Sequence, residues 1–285
     1  MPTTAKTASS ISGDKLYQER ARAALPLLVR QATAGKSIFY SDLAEELGMP
    51  NPRNLNYVLG SVGQAMLQLS KKWKEKIPPI QCLVVNKATG IPGEGIGWFL
   101  ISKEDFSKLP LRRRREIVQA ELQHIYAYPH WACVLEDLEL EPAEVNFAVE
   151  LVKASGNLGG GESPEHKRLK DYVAKNPKIV GLPASSTIGT TEFRLPSGDS
   201  LDVSFNLAKQ WFAVEVKSRL SAEPDIVRGI FQCVKYQAIL DAVLLSQSRT
   251  CDARAILVLE SNLPSKLKAL SNLLGVEVVD GILPQ

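Results

Sequence analysis

Two acids and a lysine stand out by where they fall. In "DSLDVSFNLAKQWFAVEVK", residues 199–217, apolar and polar side chains alternate with the period of a strand. The stretch reads as two strands joined by a loop at residues 207–210. With Asn206 opposite Trp211, Asp202 falls opposite Glu215, and Lys217 lies one pleat further along. Both acids and the lysine then share one face of the sheet, and Leu201, Val203, Phe205, Phe212, Val214 and Val216 share the other. Two facing carboxylates repel each other unless something positive binds between them. A hard divalent cation does so, and Mg²⁺ in particular takes one or two carboxylates with water and phosphate oxygens. A lysine beside that pair can reach a phosphate or a water. The chemistry predicted is metal-assisted hydrolysis of a phosphodiester, with Mg²⁺ as cofactor and Mn²⁺ as its alternative.

The elements around the pair must hold it. "SPEHKRLKDYVAKNP", with Ser163 as cap and Pro164 at the first turn, predicts a helix that carries Glu165. "KIVGL" and "TTEFRLP" predict strands before the acid-bearing pair. "AEPDIVRGIFQCVKYQAILDAVLLSQ" predicts a long amphipathic helix after it, and "ARAILVLE", "PSKLKALSNLLG" and "VEVVD" predict strand, helix and strand. Arg228, Gln232 and Lys235 fall on one face of the long helix.

This order resembles the PD-(D/E)XK nuclease superfamily, the restriction-endonuclease-like fold. The matching residues are Asp202, then Glu215-Val216-Lys217 on the next strand, with Glu165 on the preceding helix and Gln232 and Tyr236 in a Gln-x-x-x-Tyr pattern on the following one. Leu201 stands where the family has a proline before its first acid. The resemblance spans residues 160–280 and implies a mixed sheet flanked by helices. It implies catalytic roles for Asp202, Glu215, Lys217, Glu165 and Gln232. Metal ligation falls to Asp202, Glu215, Glu165 and the Val216 carbonyl. A Glu-x-Lys triplet by itself carries little, and Glu165-His166-Lys167 is a second one in this chain. The specificity comes from the combination.

The amino-terminal third is of another kind. "KLYQERARAALPLLVRQATAG", "SIFYSDLAEELGM" and "NPRNLNYVLGSVGQAMLQLSKKWK" predict three helices, and "IPPIQCLVVNKATGIPGEGIGWFL" a strand and a Gly/Pro-rich loop. The stretches "FYSDLAEELGMPNPRNLNYVLGSVG" and "VVNKATGIPGEG" resemble the winged-helix DNA-binding domain of the alkylguanine-DNA alkyltransferases. Ile80, Gln81, Cys82 and Leu83 stand where that family has its reactive Pro-Cys-His-Arg motif. The cysteine is displaced by one position, so the resemblance implies a DNA-binding fold and no alkyl transfer. Arg53, Arg228, Lys235 and Tyr236 are the candidate nucleic-acid contacts, and Arg112 to Arg115 form a further basic run.

The predicted organisation is a disordered segment at 1–14 and a winged-helix-like domain at 15–105. A helical connector with the Gly-rich "SGNLGGGESPEH" follows at 106–160, and the nuclease domain occupies 161–285. The fold class is α/β (α+β). A net charge of +3 permits a nucleic-acid partner without demanding one. Cys82, Cys133, Cys233 and Cys251 show no pair spacing, and His124, His130 and His166 no metal-ligand spacing, so neither a disulfide framework nor structural zinc is predicted. No apolar run is long enough for a membrane span, and the expected location is cytoplasmic. There is no nucleophile elbow and no phosphate-binding loop with its Lys-Ser or Lys-Thr. The function predicted is a DNA endonuclease of the restriction or phage-defence kind, with a homodimer as one way to cut both strands. The competing reading is a DNA-binding regulator on a degenerate nuclease fold.

Overall fold

The computed structural model describes residues 8–144, 146–155 and 163–284. The chain divides into two compact units, Met1–Val145 and Asn146–Gln285.

The first unit is built on helices. α1 (Leu16–Ala34) buries Ala21, Ala24, Leu25, Leu28 and Ala32, a helical spacing, and ends at Gly35, whose φ of 64° suits a residue without Cβ. β1 (Ile38–Phe39) pairs in parallel with β2 (Val84–Val85). Between them lie α2 (Tyr40–Glu46) and α3 (Leu55–Trp73). A 3₁₀ turn at Pro52–Asn54 precedes α3 and is closed by Asn51 Oδ1, which accepts from the Arg53 amide at 3.0 Å. A second 3₁₀ turn, Ile80–Leu83, replaces part of the predicted strand. α4 (Gly97–Leu100), α5 (Lys103–Lys108), α6 (Leu111–Ala127) and α7 (Trp131–Asp137) complete the unit. Phe106, Val118, Leu122, Ile125, Trp131 and Val134 join the same apolar core as α1 and α3. The predicted connector at 106–160 is therefore not a connector: its first two helices are core elements of this unit.

The predicted disorder at 1–14 is corrected over the part described. Ala8, Ser10 and Ile11 are buried. Gln18 Nε2 donates to Ser10 O, and Arg22 Nη1 donates to Ile11 O and Gly13 O. Residues 1–7 lie outside the described residues, as do 156–162 of the predicted Gly-rich linker.

The second unit starts earlier than the predicted boundary, because α8 (Ala148–Ser155) packs against a helix 70 residues on, α10 (Glu223–Ser246). Its centre is a five-stranded mixed sheet in the order β3 (Thr190–Arg194), β4 (Ser200–Asn206), β5 (Gln210–Lys217), β6 (Asp252–Leu259), β7 (Glu277–Val279). The first three strands run antiparallel and the last three parallel. Parallel neighbours need a crossover. α10 provides it between β5 and β6, and α11 (Ser265–Leu274) between β6 and β7. The predicted strand "KIVGL" is instead a 3₁₀ turn at Pro177–Val180, which begins with a proline and closes on Gly181 at φ 80°.

Helices cover both faces of the sheet. On one, Leu169 and Val173 of α9 (Pro164–Lys175) pack on Val203, Phe205, Phe212, Val214, Val216, Ile256 and Val258. On the other, α10 and α11 pack on Leu201, Trp211, Ala213, Leu257 and Leu259. Leu201 is thus on the opposite side from Val203, although strict alternation puts them together. The reason lies across the strand. β3 pairs with β4 at Thr191↔Val203 and at Phe193↔Leu201 but not between, where Glu192 takes a left-handed φ of 53° opposite Asp202. The ladder is broken there, and β4 changes face at Asp202.

Candidate active site

The predicted register holds from Asn206 opposite Trp211 to Val203 opposite Val214, but the predicted pair of Asp202 with Glu215 does not form. The joining loop is one residue shorter than predicted, since Gln210 opens β5 and its carbonyl accepts from the Leu207 amide. Past Val203 no further β4–β5 pair forms. Instead Asp202 Oδ2 accepts from the Val216 amide at 2.8 Å. A side-chain carboxylate has taken a place in the ladder, and this brings Asp202 to the end of β5 where Glu215 and Lys217 stand.

Glu215 is only 3% exposed. Its Oε1 accepts from Lys217 Nζ at 2.6 Å, and the same ammonium reaches Gln232 Oε1 on α10 at 3.3 Å. Gln232 Nε2 in turn lies 3.4 Å from the Tyr236 hydroxyl, which donates to Ser200 O at 3.3 Å. Five residues from two strands and one helix form a single hydrogen-bonded chain. The lysine stem lies flat against the helix because residue 229 is glycine. A Cβ there would stand 2.9 Å from Leu257 Cδ1, closer than real Cβ contacts come, and a tight 3.0 Å from Lys217 Cε.

The electrostatics follow from burial. Desolvation pushes the Glu215 carboxyl up to about 7, and the neighbouring Asp202 charge pushes the same way, against the pull of Lys217 and His166. The group sits where an added positive charge has most to offer. Burial also raises the Tyr236 hydroxyl and the Cys233 thiol, which lies on the same helix turn.

The structure adds a residue that the sequence reading passed over. Ser163 Oγ accepts from the His166 amide and starts α9. From that first turn His166 Nε2 lies 3.3 Å from Asp202 Oδ1, and the hydrogen bond raises the histidine pKa. Its signal was its place one turn inside a capped helix that precedes the acid strand. Glu165, the predicted carboxylate of that helix, is half-buried beside it and takes no part in this set of bonds. Val216, predicted to act through its carbonyl, is tied to Asp202 through its amide.

The predicted nucleic-acid contacts separate. Tyr236 is buried at 3% and its hydroxyl is committed, so it is a core residue that orients Gln232 and not a surface contact. Half-buried Arg228 is held by Asp225 at 3.3 Å, and exposed Lys235 by Asp199 at 2.6 Å. Arg53 is exposed in the turn before α3. Of the basic run, Arg112 and Arg113 pair with Glu116, and Arg115 Nε donates to Thr89 O.

In the first unit Cys82 is fully buried. Desolvation, with the Glu121 charge behind it, drives its thiol far above the ordinary range, so no thiolate nucleophile is available there. Gln81 beside it is also buried, and neither of its amide atoms has a hydrogen-bond partner among the described residues. A cavity of about 380 Å³ lies along the second half of α3, lined by Met66, Ile77, Pro79 and Phe99 with Lys71, Lys74 and Lys76.

No family model, curated protein or solved structure matches this chain. Among the described residues no three or more His, Cys, Asp or Glu are grouped to hold a metal ion, and no helix is long and apolar enough to cross a membrane.

Proposed function

We propose that the second unit is a restriction-endonuclease-like domain that hydrolyses phosphodiester bonds in DNA with a divalent cation, Mg²⁺ or Mn²⁺. The observation that carries this reading is the hydrogen-bonded chain of Glu215, Lys217 and Gln232 at one end of β5, with Asp202 held beside it on the Val216 amide. A buried carboxylate driven up by burial and by a second carboxylate is the donor chemistry that suits a hard cation, so the residues fit one. Asp202 and Glu215 would hold it, and what it supplies when bound is neutralised phosphate charge and easier ionisation of water.

The chain's own residues do the rest. Lys217 presents an ammonium, held from behind by Gln232, to the phosphate oxygens on which charge develops. Gln232 and Tyr236 keep that ammonium from turning away. His166 holds the outer oxygen of Asp202 and so fixes the carboxylate plane. Glu165, one residue earlier, remains within the same helix turn as a further candidate ligand. For the first unit we propose a winged-helix-like DNA-binding role, with Arg53 at its exposed turn, and for the whole chain a place among restriction or phage-defence nucleases.

A second reading has an observation in its favour. Both acids already have protein partners, and Lys217 closes on Glu215 at 2.6 Å, which suits an inert DNA-binding descendant of such a fold. Incubation of the full chain with supercoiled plasmid separates the two. Nicking with Mg²⁺ and none with EDTA supports hydrolysis. Binding without nicking in Mg²⁺ or Mn²⁺ supports the inert reading.

A further inference from the structure

Glu260 is a buried acid that the proposed chemistry does not use. It follows the last residue of β6 and is 5% exposed. Its amide donates to Lys217 O at 3.0 Å, so it stands directly beside the end of β5. Its carboxylate is divided between two elements. Oε1 accepts from Arg168 Nη2 on α9 at 3.0 Å, and Oε2 accepts from the Arg219 amide, two residues past Lys217, at 2.9 Å. A buried carboxylate must be compensated, and this one is compensated by one guanidinium and one amide.

Neither arginine is used up. Arg168 has a side chain 51% exposed and gives Glu260 one of its five donors. Arg219 is exposed, and its side chain makes no ion pair with a described residue. One carboxylate therefore holds a guanidinium on α9 that keeps further donors in hand, and the backbone from which a second guanidinium starts in the turn that leads from β5 into α10. Both start beside the strand end that carries Glu215 and Lys217. Arg168 lies two residues past His166, which touches Asp202.

We infer that Arg168 and Arg219 form a phosphate clamp for the nucleic-acid backbone next to the acids, and that Glu260 is the positioning residue that aims it. Guanidinium suits this task because its planar fork can bind a carboxylate on one side and phosphate oxygens on another. The inference rests on the proposed function for its substrate, a DNA backbone, and deepens it by naming the groups that hold the phosphates flanking the cut.

The test uses the full chain and a short DNA duplex, titrated in Ca²⁺ at a series of salt concentrations, with cleavage in Mg²⁺ measured separately. Each lost phosphate contact lowers the slope of log affinity against log salt by about 1. Arg168→Ala and Arg219→Ala are each expected to lower it by about that amount. Glu260→Gln is expected to weaken binding as Arg168→Ala does, and the double variant Glu260→Gln, Arg168→Ala to add little, because the acid acts through the arginine. Arg219→Ala removes an exposed side chain and cannot fail for want of folding. Wild-type slopes in both arginine variants overturn the clamp, as does a wild type that does not bind the duplex. Additive losses in the double variant overturn the positioning role of Glu260. Lowered slopes in a chain that never cleaves keep the clamp and remove the hydrolysis, whereas cleavage with unchanged slopes does the reverse.

Discussion

Each unit holds a buried polar cluster beside a resemblance-bearing stretch, and the two clusters are treated in opposite ways. In the second unit every member of the Glu215, Lys217, Gln232, Tyr236 chain has a partner, and Asp202 has two. In the first, Gln81 is 4% exposed with both amide atoms unpaired, and Ser61 is fully buried with its hydroxyl unpaired among the described residues. A buried amide without partners costs on the order of 1–3 kcal/mol. On the proposed reading the connected set is the catalytic machinery, and a polar network is worth keeping only when every member is satisfied. The unpaired set is a cost carried by the fold, and it sits where the alkyltransferase-like stretch would have its reactive residue.

The largest expected effect lies in the connected set. Lys217→Ala is expected to lower single-turnover cleavage by about 10³-fold or more while DNA binding in Ca²⁺ persists, because the charge that meets the transition state is gone. Cleavage within tenfold of wild type would make Lys217 a packing residue. Gln232→Leu leaves the ammonium facing a methyl group and is expected to lower both cleavage and stability.

The same kind of substitution in the first unit has the opposite sign. Gln81→Leu removes two unpaired polar atoms at nearly equal volume and is expected to leave stability unchanged or raise it by about 1 kcal/mol. The readout is the urea midpoint of the full chain. A loss of 2 kcal/mol or more would show that the amide is paired in solution and would erase the contrast between the units.

A titration sharpens the contrast further. Glu215 has its folded pKa raised to about 7 and His166 has its own raised. A raised folded pKa means stability that is present below the unfolded value and lost as pH climbs through the folded one. For Glu215 the unfolded value is 4.5, so the metal-free chain is expected to lose stability from pH 5 to pH 8. Histidine adds to the same trend. On the proposed reading Mg²⁺ binds the ionised carboxylates, so it should raise the Tm more at pH 8 than at pH 5. Glu215→Gln should flatten both dependences. A Tm that rises from pH 5 to 8 without metal would contradict the assignment.

The smallest effect concerns the thiols. Iodoacetamide is expected to modify exposed Cys133 in the native chain and to spare buried Cys82 and Cys233. Mass spectrometry of the peptides decides it. Rapid labelling of Cys82 would reopen the question of a nucleophile in the first unit.

Much of the second unit was legible because its pattern is local. Alternation from Val203 to Val214, with aromatics at Phe205, Trp211 and Phe212, fixes which residues face each other across a short hairpin. The side taken by Leu201 was not legible. It depends on Glu192, whose left-handed backbone no propensity of glutamate suggests. The boundary near residue 145 was hidden for a similar reason: α8 belongs with α10 through packing alone, and the glycine run that follows it is the louder signal. His166 was missed because a lone histidine beside Glu165 shows no ligand spacing. Its role comes from the direction in which the capped helix starts.

The β5–α10–β6 crossover has a consequence for the chain during its synthesis. Glu215 and Lys217 lie on a strand whose parallel partner, Asp252–Leu259, emerges only after a helix of 24 residues. Until then β5 is an edge, and the turn after Lys217 lacks the Glu260 carboxylate that anchors it. A growing chain thus carries its acids and lysine for some 35 residues before they can be fixed in place, so the proposed centre would be assembled only after β6 has emerged. Chains ending at residue 250 should show no cleavage and rapid proteolysis of the segment after residue 163. Activity in such a truncated chain would show that the first three strands suffice.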